Sequence, residues 1–273
     1  MKTSISLAAA LTLFASRAHR ARAHYTFPYI VDASGTESAA WQYIRETQNY
    51  ETQNPLTDVT DPLFRCYENN TAAQTSTITL AAGGTYSFIA DNTIYHPGYL
   101  DVYMGSVSDA TSESAGDGSV WFKIFEDAPV YDADVEGFYI FPSQTTSNVT
   151  FKIPSATPSA GSYLIRVEQI ALHVASVYGG AQFYIACAEV EVTGGGSGSP
   201  GPLVAIPGVY TGYEPGILIS QSPSQLVYIA QGFTATFIFQ TSTKLIPMEP
   251  IFLVRLLCHP GFGSSRTDFG ILY

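Results

Sequence analysis

The sequence predicts an all-β protein, an antiparallel β-sandwich with long loops, and three observations carry the prediction. Only 13% of the 273 residues are charged, while 18 Tyr, 16 Phe and 23 Gly favour strands and turns over helices rich in Glu, Lys and Arg. From about Ser76 the chain alternates apolar and polar residues in short segments broken by turn-formers. A hydrophobic fraction of 46% supports a packed core and excludes a disordered or collagen-like chain.

The elements follow in order. Ile78 and Leu80, then Tyr86 and Phe88, share a face on either side of Ala82-Gly83-Gly84. Val120, Phe122 and Ile124 alternate with Trp121, Lys123 and Phe125, and Val149, Phe151 and Ile153 repeat the rhythm before Pro154. Two longer strands are expected over residues 161–173 and 182–192. In the second, period two places Gln182, Tyr184 and Ala186 on one face and Phe183, Ile185 and Cys187 on the other, separating a polar site from a buried cysteine. Residues 193–202, rich in Gly, Ser and Pro, read as a flexible linker, although the segment beyond reads as the same domain continuing.

Charge narrows the partners. Twelve Lys and Arg against 23 Asp and Glu oppose a nucleic-acid or anionic-membrane partner, since both demand a basic face. The first 23 residues contain four of those cations and no acid, an apolar stretch from Ile5 to Ala15, and Ala21-Arg22-Ala23, which together read as a signal peptide. The apolar stretch falls well short of the ~20 residues a membrane-spanning helix needs. Cleavage after Ala23 would make His24 the first residue of a secreted, extracellular protein. Sequons at Asn69 and Asn148 mark expected surface glycosylation. Three cysteines, Cys66, Cys187 and Cys258, allow one disulfide and leave one thiol.

Histidine is more informative, because only four remain after cleavage: His24, His96, His173 and His259. His24, as a new N-terminus, offers its α-amine and its ring nitrogen as a chelate for one metal ion; its bland reading is that some residue must come first. His96 sits in Ile94-Tyr95-His96-Pro97-Gly98, a loop that presents a ligand or merely a solvated turn residue. His173, flanked by Leu172 and Val174, reads either as a functional group or as a satisfied core histidine, and Gln182 and Tyr184 as site or core-edge residues. No G-x-S-x-G nucleophile elbow and no phosphate-binding Gly-rich loop occurs.

These residues lie in segments with a family pattern: His24-Tyr-Thr-Phe-Pro28; Asn54-Pro-Leu-Thr-Asp-Val59 with Arg65-Cys66; Ile94-Tyr-His-Pro-Gly98; Trp121-Phe-Lys-Ile124; Gly161-Ser-Tyr-Leu-Ile-Arg166 with Glu168 and Ile170-Ala-Leu-His173; Gly180-Ala-Gln-Phe-Tyr184 with Cys187; and Ile206-Pro-Gly208 with Pro215-Gly-Ile-Leu218. In this order the chain resembles the fungal lytic polysaccharide monooxygenases of auxiliary activity family nine, once classed as glycoside hydrolase family sixty-one. The resemblance implies an immunoglobulin/fibronectin-like sandwich over residues 24–219 that holds one copper ion per chain. His24 and His96 would be ligands, Tyr184 the axial group, and His173 and Gln182 the outer groups that handle oxygen chemistry. Cys66 would pair with Cys187.

The implied activity is oxidative cleavage of β-1,4-glucan chains of cellulose at C1 or C4, with O2 or H2O2 and an external electron donor. The His24-Tyr-Thr-Phe-Pro28 opening resembles the branch favouring C1. A monomer working on a polysaccharide surface is expected. The alternative is a noncatalytic secreted copper- or carbohydrate-binding protein on the same fold, which would have no need of His173, Gln182 and Tyr184 together. The pattern departs after residue 219, where the family continues into a short Tyr- and Pro-rich segment ending in Pro-Gly-Pro. Residues 220–273, with Cys258, read instead as an atypical tail and a gene-model artefact, a genuine extension being the alternative.

Overall fold

A computed structural model describes residues 24–68, 70–132, 138–158 and 161–219. The expectations for the leader, Asn69, Cys258 and the tail lie outside the described residues.

Among the described residues eleven strands run β1 (Tyr29–Val31), β2 (Ile78–Ala81), β3 (Thr85–Ile89), β4 (Gly98–Val107), β5 (Ser119–Asp127), β6 (Val130–Asp132), β7 (Phe138–Ile140), β8 (Asn148–Lys152), β9 (Gly161–Ala171), β10 (Gln182–Thr193) and β11 (Val204–Ala205). They form a three-stranded sheet β1-β3-β8, a six-stranded sheet β11-β5-β4-β9-β10-β2 and a small β6-β7 ribbon. Every pairing is antiparallel except β2 with β10. The first core fills the space between the two main sheets: Phe88, Val149 and Phe151 from the smaller meet Val102, Met104, Ile165, Val167 and Ala186 from the larger.

A second core lies on the other face of the larger sheet. Trp121, Tyr103, Leu164, Phe183 and Ile185 are covered there by Phe64, Ile206, Tyr210 and Ile217 from long loops. The disulfide between Cys66 and Cys187 pins one of those loops to β10, across a separation of 121 residues. Both faces of β9 and β10 are therefore buried, which is why their sequences read as near-continuous apolar runs. The period-two reading of β10 holds, since Tyr184 and Ala186 enter the first core and Phe183, Ile185 and Cys187 the second.

Two readings need correction. Ile124 is an extra residue in the β4–β5 pairing, because Val102 faces Phe125 while Tyr103 faces Lys123. This bulge reverses the parity of the strand and brings Phe125 to the same core as Phe122, contrary to simple alternation. Residues 193–202 are not a free linker. Gly196 and Gly198 donate main-chain hydrogen bonds to Thr157 and Ala156 (2.8 Å each), and a Cβ at Gly198 would sit 2.5 Å from the Ala156 carbonyl oxygen. Glycine serves close backbone approach here, not flexibility.

Candidate metal centre

Sheet register gathers the site. Gly98 at the start of β4 and Gln182 at the start of β10 both pair with Ala171 at the end of β9. The loop carrying His96 into β4, the His173 that follows β9 and the side chains that open β10 therefore meet at one end of the larger sheet. A Cβ on Gly98 would lie 1.7 Å from the Ile170 carbonyl oxygen, so only glycine lets β4 begin this close to β9. His24, just ahead of β1, completes the group.

The rings of His24, His96 and Tyr184 form a nearly equilateral triangle, with centroids 6.0 Å, 5.9 Å and 6.1 Å apart. His173 stacks on His96 at 3.8 Å with the planes 10° apart. It is exposed, so the core-histidine reading fails: the turn after Leu172 carries the ring out beside the His96 loop. The Tyr184 hydroxyl donates to Gln182 Oε1 at 3.2 Å. All five residues singled out from sequence are thus brought together. Cys187 is on the opposite face of β10, and Asn148 is exposed at the start of β8.

Several residues that hold this group were not among the candidate site residues singled out from the sequence. The Asp91 carboxylate accepts from the Thr26 N–H at 2.8 Å, the Thr26 hydroxyl at 3.0 Å and the Gln53 amide at 2.6 Å. The Asp91 N–H returns a bond to the Thr26 carbonyl, and Asn92 Nδ2 donates to the His24 carbonyl at 3.3 Å. Tyr25, fully buried, stacks on Tyr184 at 4.3 Å and donates its hydroxyl to Gln169 Oε1 at 2.6 Å. Asp91 and Gln169 are ordinary polar residues in their own segments, and only the fold shows what they reach.

Burial, with the neighbouring Tyr184, pushes the Tyr25 phenol well above its usual range, and burial raises that of Tyr184. Partial burial and the nearby His24 lower the His173 imidazole below its ordinary value.

The residues fit a copper ion. Among the described residues no three His, Cys, Asp or Glu side chains cluster as a metal site. The donors these residues could offer are all nitrogen: two imidazoles and the main-chain nitrogen of His24. Centroids 6.0 Å apart leave room for one ion bound by a nitrogen of each ring at about 2 Å. Nitrogen ligation of this kind suits Cu(II).

Residues 24–228 match the model of Auxiliary Activity family 9 (formerly GH61), a match that begins at His24. The chain is 58% identical over 201 residues to AA9 family lytic polysaccharide monooxygenase D of Phanerodontia chrysosporium, covering 72% of this chain and 83% of that protein. It is 48% identical over 222 residues to monooxygenase H of Malbranchea cinnamomea, covering 81% and 92%. Among solved structures, a cellulose-active polysaccharide monooxygenase from M. thermophila superposes with a TM-score of 0.62 at 25% identity, over 74% of this chain and 93% of that one.

Proposed function

From the premise that this chain belongs to Auxiliary Activity family 9, and is therefore a copper-dependent enzyme of oxidative polysaccharide cleavage, we propose that it cleaves the β-1,4-glucan chains of cellulose, at C1 in preference to C4. The observation that carries the site assignment is the triangle of His24, His96 and Tyr184 rings at a solvent-facing end of the sandwich. The cellulose assignment draws support from the superposable cellulose-active relative. Exposed Tyr95, Tyr178 and Tyr213, on loops near the histidines and near the end of the described chain, suit contact with sugar rings.

His24, through amine and ring, and His96, through its ring, hold the copper. Bound there, copper supplies one-electron activation of O2 or H2O2 for insertion of oxygen into a C–H bond, with electrons from an external donor. The buried Tyr184 phenol stays protonated and closes the third side. Its hydroxyl donates to Gln182 Oε1, which anchors that end of the Gln182 amide. His173, stacked on His96 and open to solvent, holds or passes a proton at a ring nitrogen at the mouth of the site. Cys66–Cys187 braces β10 three residues beyond Tyr184. The enzyme acts as an extracellular monomer after removal of residues 1–23.

Mass spectrometry of soluble products from cellulose, with copper and ascorbate, tests this reading. Aldonic-acid ends are expected for C1 attack. His24→Ala and His96→Ala should abolish them, whereas Gln182→Ala and His173→Ala should slow their release with copper retained, because ligands hold the metal and outer groups tune it. Loss of metal from Gln182→Ala or His173→Ala would overturn the assignment of roles, and release of oxidised products from another glucan but not from cellulose would overturn the substrate.

A further inference from the structure

Gln169 is a fully buried amide on the core-facing side of β9, where an apolar residue would suit the periodicity. Burying a primary amide without partners is unfavourable by roughly 1–3 kcal/mol in proteins. Both ends of this one are occupied. Its Oε1 accepts the Tyr25 hydroxyl at 2.6 Å, and its Nε2 donates to the main-chain carbonyl of His96 at 3.2 Å. One side chain therefore joins the residue after His24 to the backbone of His96. A Cβ on Gly98 would also crowd this amide, coming 3.2 Å from Gln169 Nε2.

We propose that Tyr25 and Gln169 are positioning residues for the metal, a buried hydroxyl–amide relay that sets the separation and orientation of the two histidine-bearing segments. The inference rests on the copper reading of His24 and His96. β1 and β4, into which those two residues lead, belong to different sheets. The β1–β3 pairing and the bonds joining Thr26 to Asp91 and His24 to Asn92 bring the two segments alongside one another as far as residue 92. The relay carries the connection on to His96 itself. Tyr25 acts a second time through its ring, which stacks on Tyr184 at 4.3 Å with the planes 27° apart. A single side chain thus fixes the backbone on one side of the site and the plane of the phenol on another.

The two functions of Tyr25 separate by mutation. Tyr25→Phe deletes one oxygen and keeps the stack; Gln169→Leu keeps the volume and deletes both hydrogen bonds. The mature, secreted protein and each variant are stripped of metal, shown to be folded by circular dichroism, titrated with Cu(II) by calorimetry, and examined by electron paramagnetic resonance. Each variant should bind copper about 10-fold more weakly, the low end for removing an outer partner of a ligand, and its Cu(II) signal should shift. The double variant should be no weaker than the poorer single one, because both mutations break the same relay. A merely structural role would lower the unfolding temperature of the metal-free protein and leave affinity and spectrum unchanged in the folded variants; that outcome overturns the proposal. If Gln169→Leu fails to fold, Tyr25→Phe decides alone, an unchanged affinity and spectrum again refuting it. Failure of the parent itself to bind copper would instead overturn the reading of the site.

Discussion

Replacing Asp91 with Ala should loosen the first residues of the domain far more than the domain as a whole. The carboxylate accepts three hydrogen bonds, from the Thr26 N–H, the Thr26 hydroxyl and the Gln53 amide, at 2.6–3.0 Å. Asp91 itself is exposed, so water meets much of its own loss, but the donors are not so placed: Thr26 is 4% and Gln53 6% exposed. Taking about 1 kcal/mol for each donor left in a nearly dry position gives ~3 kcal/mol of local stability. At 1.4 kcal/mol per factor of ten, amide exchange over residues 24–27 should accelerate about 100-fold, measured by native-state hydrogen exchange with mass spectrometry. Asp91→Asn keeps one acceptor and should give an intermediate rate, roughly 10-fold above the parent. β9 and β10, held by the disulfide and by two cores, should exchange as before. If residues 24–27 in Asp91→Ala exchange within about 3-fold of the parent, the carboxylate does not hold this segment and the reasoning fails.

Copper affinity should depend on the free amine of His24: protein retaining Ala23 should lose more than the roughly 10–100-fold that removal of an outer partner costs, and equal affinity by calorimetry would sink the amine as a ligand. Burial lifts the Asp101 carboxyl from 3.8 to about 7, against the opposing pull of Lys123, whose Nζ donates to it at 3.1 Å. Because the folded value is the higher one, the stabilising effect of that proton is complete below the unfolded value and is lost as pH rises through about 7. Between pH 5 and pH 8 the parent should therefore lose about 2–3 kcal/mol relative to Asp101→Asn, and parallel pH profiles of denaturant unfolding would refute the assignment. Replacing residues 220–273 with the short ending usual in the family should raise soluble yield and activity on cellulose, since apolar clusters such as Ile251-Phe-Leu-Val254 lack strand alternation. Higher activity with the tail than without it would show that the extension contributes to function.

What the sequence determined by itself was local. Alternation along Val149-Phe151-Ile153 and along β10 specified which side chains share a face, since a strand's period is two whatever it pairs with. The ordered motifs named the family and the five residues now found together at one end of the sheet. Partnership was a different matter. Ile78 and Leu80 read as companions of Tyr86 and Phe88, and they do face the same core, but from opposite sheets, because the Ala82-Gly83-Gly84 turn carries the chain across the sandwich. The bulge at Ile124 was invisible because an extra residue shows only against the strand it fails to match. His173, set among apolar neighbours, read equally as core; the turn after β9 decided that it stacks in the open on His96. Asp91, Gln169 and Tyr25 act across separations of 38 to 144 residues in hydrogen bonds that no local pattern encodes. Period and composition report a residue's face and burial, whereas the distances that make a metal site depend on register and on which loops the two cores draw together.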